Sequence, residues 1–203
     1  MRYDKLENAI NIAILASGEG TNAENIIQYF ESYVDANISC VISDREANVT
    51  KRLRRYKVPT YTTKWYKEID KILTEHNVHY IVLAGFLDKI PPKFCEKYKW
   101  KMINIHPALL PKYGGKGMYG DKVHQLVKNN GDKKTGITVH FVDAEYDRGL
   151  TVFQKEIRVR EEDSWQDIKR NVQEIEYKFY PAVIEKFIRG TYEHLYKKKD
   201  EDE

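Results

Sequence analysis

The sequence predicts an α/β fold with a mostly parallel central sheet, antiparallel strands in the C-terminal part and a long C-terminal helix. In the first hundred residues, short β-branched runs alternate with helix-period stretches, as in a parallel sheet with crossover helices. The first run, residues 12–16, shows little polar alternation, which is typical of a strand buried on both faces. Later runs, 137–142 and 152–159, alternate with period two and indicate antiparallel strands.

The N-terminal half is expected to contain five strands and four helices. The strands are predicted over residues 12–16, 38–43, 60–62, 80–84 and 102–105. The helices are predicted over residues 23–33, 50–57 and 65–76, and from Pro91-Pro92, since proline fits the first turn of a helix.

The C-terminal half continues with a glycine-rich stretch at 112–120 and a predicted helix over 121–129. A long helix over 165–188 follows the two alternating runs, and Pro181 introduces a possible kink. The charged residues 197–203 are predicted to form a frayed, solvated tail. No linker or repeat interrupts the chain, so we expect a single domain over 1–203 with its core at about 8–190.

Composition argues against nucleic acid, membrane and disulfide chemistry. The chain has 203 residues with 34 Lys and Arg against 31 Asp and Glu, and no long basic stretch carries the small excess. The apolar run at 10–16 is too short to cross a bilayer and lacks the order of a signal peptide. Cys40 and Cys95 are too few and too distant for a disulfide framework or a metal site. We therefore expect a soluble cytoplasmic protein without nucleic-acid or membrane partners.

A glycine-rich turn, Ser17-Gly18-Glu19-Gly20-Thr21-Asn22, joins the first strand to the first helix. Glycine lets a backbone approach a ligand closely, and free N–H groups at a helix start attract anions. With Ala23 the spacing satisfies a loose dinucleotide fingerprint, and Asp44 lies where a ribose-binding acid would. A nicotinamide-dependent oxidoreductase and a non-catalytic nucleotide-binding module are therefore open alternatives, as is a turn that needs glycine only for its backbone angles.

Asn104 and His106 lie two residues apart at the carboxyl end of a predicted strand, so their side chains face the same side. An amide donor beside an imidazole can stabilise an oxyanion and move a proton in acyl transfer. Asp147, in a turn-like loop after residues 137–142, could orient the imidazole or could simply be a turn residue.

Four segments together resemble the folate-dependent formyltransferase family, and within it the enzymes that formylate glycinamide ribonucleotide. These segments are the glycine turn, Ile81-Val82-Leu83-Ala84-Gly85-Phe86, Asn104-Ile105-His106-Pro107-Ala108-Leu109-Leu110-Pro111, and Thr138-Val139-His140-Phe141-Val142 with Asp147 and Gly149. The similarity runs from about residue 12 to 187. It implies a Rossmann-like formyltransferase fold and transfer of a formyl group from 10-formyltetrahydrofolate to the ribonucleotide amine, without a metal, by a monomer or homodimer.

The resemblance also implies site residues. It places the catalytic trio at Asn104, His106 and Asp147. It places substrate contacts at Gly20, Thr21, Asn22, Pro107, Gln173 and Glu176, with the phosphate on the glycine turn and the ribose on Glu176. It places folate contacts at Lys64, Leu87, Asp88, Lys89, Ile90, Asp143, Ala144, Glu145 and Tyr146.

Three departures from the family pattern concern loops. The family often has Asp-Gly-Gly where this chain has Asp147-Arg148-Gly149, and Pro-Gly where it has Gly114-Gly115, and the stretch 114–120 is longer here. A sugar-nucleotide N-formyltransferase is the alternative within the family, whereas the small phosphate-type turn and Glu176 favour a ribose phosphate.

Overall fold

The computed structural model describes residues 9–202, and the chain divides between Ile103 and Asn104 into two compact units. Residues 1–8 and 203, the two ends of the predicted domain 1–203, lie outside the described part. The extent of a single domain therefore stays a prediction.

The first unit contains four strands that pair in parallel, in the order β3-β2-β1-β4. They are β1 (Ile10–Ala16), β2 (Ala36–Ser43), β3 (Thr60–Thr62) and β4 (Tyr80–Leu83). The helices are α1 (Thr21–Phe30), α2 (Asn48–Arg52), α3 (Tyr66–Glu75) and α4 (Pro92–Lys97). β1 pairs with a strand on each edge, and its residues 12–16 are fully buried, as in a central strand covered on both faces, which explains the apolar run in the sequence.

Two helices of this unit differ from their predicted bounds by more than one residue, and α1 also ends at Phe30 rather than at 33. The helix expected over 23–33 begins at Thr21, because Gly20 adopts a left-handed conformation that starts the helix directly after the turn. The helix expected over 50–57 is the five-residue α2 followed by a 3₁₀ turn, Leu53–Arg55. The backbone becomes extended at Tyr56, so the helical run is shorter than its residue pattern suggested.

The second unit carries the end of β5 and the antiparallel pair predicted at the C-terminal part. Its elements are β5 (Met102–His106, which starts at the boundary), α5 (Asp121–Asn129), β6 (Lys134–Phe141), β7 (Thr151–Arg158), α6 (Trp165–Ile188) and α7 (Glu193–Asp202). β6 follows β5 in the sheet and pairs antiparallel with β7. The predicted fold class is confirmed: parallel strands in the first unit, antiparallel strands later and a long helix near the C-terminus.

Helix α6 has its predicted bounds because its first turn is capped from both sides. The Ser164 hydroxyl accepts from the Asp167 backbone N–H, and the Asp167 carboxylate accepts from the Ser164 backbone N–H. The helix continues through Pro181 without interruption.

The prediction of a frayed tail over 197–203 is wrong for residues 197–202, which belong to α7, while residues 197–199 are exposed as predicted and residue 203 lies outside the described residues. The ring of Tyr196 packs edge-on against Phe141, with 5.6 Å between centroids, and Lys197 pairs with Glu193 one turn earlier. These contacts give a charged helix a fixed place that charge patterning alone does not reveal.

Helix α5 buries an imidazole, His124, which is 3% exposed and whose Nδ1 has no hydrogen-bond partner among residues 9–202. Burial, together with the positive charge of Lys169, lowers its pKa to about 4. Between about pH 4 and 6.5 the unfolded chain therefore binds a proton at this position that the folded protein does not.

We expect the free energy of unfolding to fall as the pH is lowered from about 6.5 to 4. His124→Gln should remove up to about 1.4 kcal/mol per pH unit from this slope, the contribution of one proton. Urea unfolding of both proteins at a series of pH values measures it. An unchanged slope in a folded variant would show that His124 is protonated in the native state.

Candidate active site

The second unit brings the three predicted catalytic side chains together. Asn104 and His106 lie at the end of β5 on one face of the strand, and Asp147 follows β6 in the loop that leads to β7. His106 is 4% exposed and its Nδ1 lies 3.4 Å from Asp147 Oδ2. The carboxylate thus stands beside the imidazole, as an orienting group would.

The two ring nitrogens of His106 face different acceptors. Its Nε2 is 2.7 Å from the backbone carbonyl oxygen of Tyr113, and since a carbonyl can only accept, Nε2 carries a proton. Nδ1 faces the Asp147 carboxylate. Each ring nitrogen therefore faces a hydrogen-bond acceptor.

Asp147 is held by its backbone as well as by its charge. It adopts a left-handed conformation with φ of 57°, which aspartate tolerates better than most residues. Its Oδ2 accepts a hydrogen bond of 2.9 Å from Gly115 N–H. Burial would raise the pKa of Asp147, but the imidazoles of His106 and His140 and the Gly115 N–H outweigh it and hold the pKa below its ordinary value. The carboxylate is therefore ionised at neutral pH.

The loop departures leave Asp147 in place. Arg148 is exposed and its guanidinium pairs with Glu145 at 3.2 Å, so the change from glycine adds no group to the cluster. Gly149 is required, because a Cβ there would overlap the carbonyl oxygen of Phe141. At Gly114 a Cβ would stand 2.5 Å from Leu110 Cδ2 and 3.2 Å from Asp147 Cβ, so this glycine gives the loop room beside the carboxylate.

The structure adds a residue for which the sequence assigned no role, His140 on β6. It is 3% exposed, and its Nε2 lies 3.1 Å from Asn104 Nδ2 and 3.6 Å from Asp147 Oδ1. His140 could have been found from the sequence, because it lies in the family-like segment Thr138-Val139-His140-Phe141-Val142, two residues after Thr138 and therefore on the same face of the strand. Its pairing with Asn104 depends on how β5 and β6 neighbour each other, which spacing along the chain does not give.

The glycine turn of the first unit is set by close packing. Gly20 has φ of 75°, and a Cβ there would lie 2.6 Å from Val49 Cγ2 and 2.8 Å from Val49 Cα. Arg52 holds the turn further, with Nε donating to Glu19 O at 2.7 Å. No side chain caps α1 at Gly20. Gly18 has open space where its Cβ would be. Gly20 is thus needed by the turn itself, and phosphate binding at Gly20, Thr21 and Asn22 stays a prediction.

The predicted folate strip, Leu87 to Ile90, is anchored in the same unit. Leu87 N–H donates to the hydroxyl of the buried Ser17 at 2.9 Å, and Tyr66 OH donates to Lys89 O at 3.2 Å. Asp88 and Lys89 are exposed, whereas Ile90 is buried. Lys64 lies in the segment before α3, exposed, with its Nζ 5.3 Å from the centroid of the Trp65 ring.

The other predicted contacts lie in the second unit. Gln173 and Glu176 are one turn apart on α6, and Glu176 is buried at 7% exposure, unlike an ordinary solvated helix glutamate. Pro107 is half-buried directly after β5. In the loop 143–146, Asp143 Oδ1 accepts from Glu145 N–H at 2.9 Å, while Ala144 and Tyr146 are half-buried.

The dinucleotide alternative needed Asp44 as an open ribose-binding acid. Its side chain is 4% exposed and its carboxylate pairs with Arg45.

Among the described residues no helix is long and apolar enough to cross a membrane, and no group of three or more His, Cys, Asp or Glu side chains could hold a metal ion.

Comparison with known proteins agrees with this geometry. The family model described as formyl transferase matches residues 10–184. The phosphoribosylglycinamide formyltransferase of Haemophilus influenzae is 37% identical over 190 residues, covering 88% of this chain and 87% of the relative. The chain belongs to the formyl transferase family. The family predicted from the segments above is therefore confirmed.

Two further relatives show that the likeness extends over most of this formyl transferase. The phosphoribosylglycinamide formyltransferase of Bacillus subtilis is 34% identical and covers 87% of this chain and 93% of its own. The crystal structure of the phosphoribosylglycinamide formyltransferase from Anaplasma phagocytophilum superposes with a TM-score of 0.78 at 32% identity, covering 87% of this chain and 85% of that one.

Because the folded formyl transferase holds Asp147 ionised more strongly than the unfolded chain does, Asp147 contributes stability above about pH 5. This contribution is lost as the pH falls below about 4, the ordinary aspartate pKa, towards the lower native value. Asp147→Asn should therefore destabilise the protein at pH 7 and progressively less on acidification. Urea unfolding from pH 7 to 3 measures this, and a constant difference between the two proteins would contradict it.

Proposed function

We propose that this chain is a phosphoribosylglycinamide formyltransferase, as predicted from the sequence. It transfers the formyl group of 10-formyltetrahydrofolate to the amine of glycinamide ribonucleotide, giving formylglycinamide ribonucleotide and tetrahydrofolate in purine biosynthesis. Relatives of that name match nearly the whole chain at 34–37% identity. The observation that carries the chemistry is the cluster of a half-buried amide, a buried imidazole and a half-buried, ionised carboxylate at Asn104, His106 and Asp147.

In the first step the substrate amine attacks the formyl carbon, and the carbonyl electrons move to oxygen to form a tetrahedral oxyanion. The Asn104 amide and the His106 Nε2–H stabilise it as hydrogen-bond donors. The Nε2–H is directed at the Tyr113 carbonyl in the structure, and the developing oxyanion replaces that acceptor during the reaction.

In the second step the bond from the formyl carbon to the folate nitrogen breaks, and that nitrogen gains the proton that the amine loses. Asp147 stabilises the imidazolium of His106 and moves this proton, through a water molecule, from the amine to the leaving nitrogen. The low pKa of Asp147 keeps the carboxylate charged throughout the working pH range.

The two substrates are assigned to residues as the family resemblance implies. The backbone of Gly20, Thr21 and Asn22, together with the side chains of Thr21 and Asn22, takes the phosphate, while Pro107, Gln173 and Glu176 take the rest of the ribonucleotide. Folate contacts are assigned to Lys64 and 87–90 in the first unit and to 143–146 in the second. The burial of Glu176 supports a specific role, since a buried carboxylate is retained only with partners. A monomeric or homodimeric state and a cytoplasmic location stay predictions.

An absorbance assay of formyl transfer from a 10-formyl folate analogue to glycinamide ribonucleotide tests the proposal. Turnover with this acceptor, and none with an amino-sugar nucleotide, is expected. Preference for the sugar nucleotide would support the alternative acceptor. Binding of a reduced nicotinamide cofactor without binding of the folate analogue would indicate an oxidoreductase or a nucleotide-binding module.

Asp147→Asn keeps the shape and the tolerance for a left-handed backbone but removes the charge beside His106. Turnover should fall by about 10²–10⁴-fold with little change in substrate binding. His106→Ala should cost a similar amount and the double variant little more, since groups that act as one unit are not additive. Near-normal turnover in folded Asp147→Asn would remove Asp147 from the mechanism.

Thr21→Val tests the phosphate site without disturbing the turn. Gly20 is unsuitable, because any side chain there meets Val49 and is strained by the positive φ. Removing the Thr21 hydroxyl should raise the KM for the ribonucleotide about 10–100-fold, the cost of one hydrogen bond to an anion, and leave the KM for the folate unchanged. Thr74→Val is the matched control, because this hydroxyl lies on α3 outside every predicted contact and donates to the Asp70 carbonyl oxygen. Equal KM changes for both substrates would argue against phosphate binding here.

A further inference from the structure

His140 lies on β6 beside the catalytic cluster, and both of its ring nitrogens have defined neighbours. Nδ1 is 2.8 Å from the carbonyl oxygen of Phe141, and Nε2 is 3.1 Å from Asn104 Nδ2. The ring is 3% exposed, so these protein groups decide its tautomer more than water does.

The Phe141 carbonyl can only accept a hydrogen bond, so His140 Nδ1 carries a proton. In the neutral ring Nε2 is then bare and acts as an acceptor. The nearest donor is Asn104 Nδ2 at 3.1 Å, within hydrogen-bond range, whereas Asp147 Oδ1 at 3.6 Å is beyond it. The tautomer of His140 therefore selects the amide nitrogen of Asn104, not its oxygen, as the atom that faces the ring.

This choice matters because an asparagine amide presents a donor on one side and an acceptor on the other. An oxyanion needs the donor. The Asn104 Nδ2 group has two N–H bonds. One donates a hydrogen bond to His140 Nε2, and the other has no hydrogen-bond partner within residues 9–202. Rotation of the amide by 180° would place Oδ1 against the bare Nε2, two acceptors in contact, which costs free energy in a buried site.

The local backbone fixes the ring in turn. The register between β6 and β7 shifts between Val139 and His140, and irregularities of this kind change the direction of a side chain. Gly149 lies beside the ring, where a Cβ would stand 3.5 Å from His140 Nδ1. Glycine at this position leaves room for the ring, and the burial of the ring together with the contact of Nδ1 with Phe141 O keeps the imidazole beside Asn104.

We propose that His140 is a positioning residue for formyl transfer: by accepting a hydrogen bond from Asn104 Nδ2, it orients the amide so that the second N–H serves the reacting oxyanion. The proposal rests on the proposed function. It assigns His140 no contact with either substrate and no proton transfer.

Two substitutions at His140 test separately the hydrogen bond at Nδ1 and the hydrogen bond at Nε2. His140→Asn keeps a donor near the Nδ1 position for the Phe141 carbonyl but has no acceptor that reaches Asn104. His140→Gln places its amide oxygen near the Nε2 position and keeps the acceptor. We expect His140→Asn to lower kcat by about 10–100-fold with both KM values unchanged, somewhat less than the roughly 10²–10³-fold cost of deleting an oxyanion donor. His140→Gln should lose no more than about fivefold, as for one ordinary hydrogen bond.

A double variant tests whether His140 affects kcat only through its hydrogen bond to Asn104. In an Asn104→Ala background, His140→Asn should cause no further loss of kcat, because the group that it positions is gone. A loss that persists in this background, or an equal loss in His140→Gln and His140→Asn, would overturn the proposal.

¹⁵N NMR of the histidine rings in the wild-type protein provides a readout that needs no activity and no variant. The expected result is a proton on Nδ1, which faces the Phe141 carbonyl, and a bare Nε2 that accepts from Asn104. A proton on Nε2 would overturn the proposal even if the variants fail to fold. If the wild-type protein does not formylate glycinamide ribonucleotide, the proposed function fails, while the tautomer still decides whether His140 can orient Asn104.

Discussion

The site depends on one half-buried carboxylate. The Asp147 carboxylate loses much of its contact with water when the second unit folds. It stays ionised because the His106 imidazole and the Gly115 N–H replace part of that hydration. The same two contacts join the loop after β6 to the end of β5 and to the glycine-rich stretch. A change in this charge therefore alters the imidazole, both loops and the stability of the unit together.

Glycines make this arrangement possible by removing side chains where backbones meet. At Gly149 the chain passes so close to Phe141 that no Cβ fits, and at Gly114 the absent Cβ leaves room beside Leu110 and Asp147. The replacement of a glycine by Arg148 is tolerated between them because its side chain is exposed and pairs with Glu145. The family pattern can thus vary at the exposed position, whereas Gly149 cannot.

The order of helices and strands could be predicted from the sequence because each depends on local periodicity. Strands on either side of β1, the helix over Trp165–Ile188 and the antiparallel pair β6 and β7 all leave such a pattern. Short or charged segments could not be predicted as well. The bounds of α2 depend on where its backbone becomes extended, and α7 depends on the docking of Tyr196 against Phe141. Neither is a property of the segment's own residues.

The sequence by itself determined the fold class, the family and the candidate trio, because Asn104 and His106 are two apart on one strand and the segments around them are specific to formyl transferases. Only the tertiary structure decided that Asp147 stands 3.4 Å from His106 and that His140 pairs with Asn104. The physical reason is that these contacts join residues more than thirty positions apart. Strand order, a register shift beside His140 and a left-handed backbone at Asp147 set their distances, and none of these leaves a periodic signal in the chain.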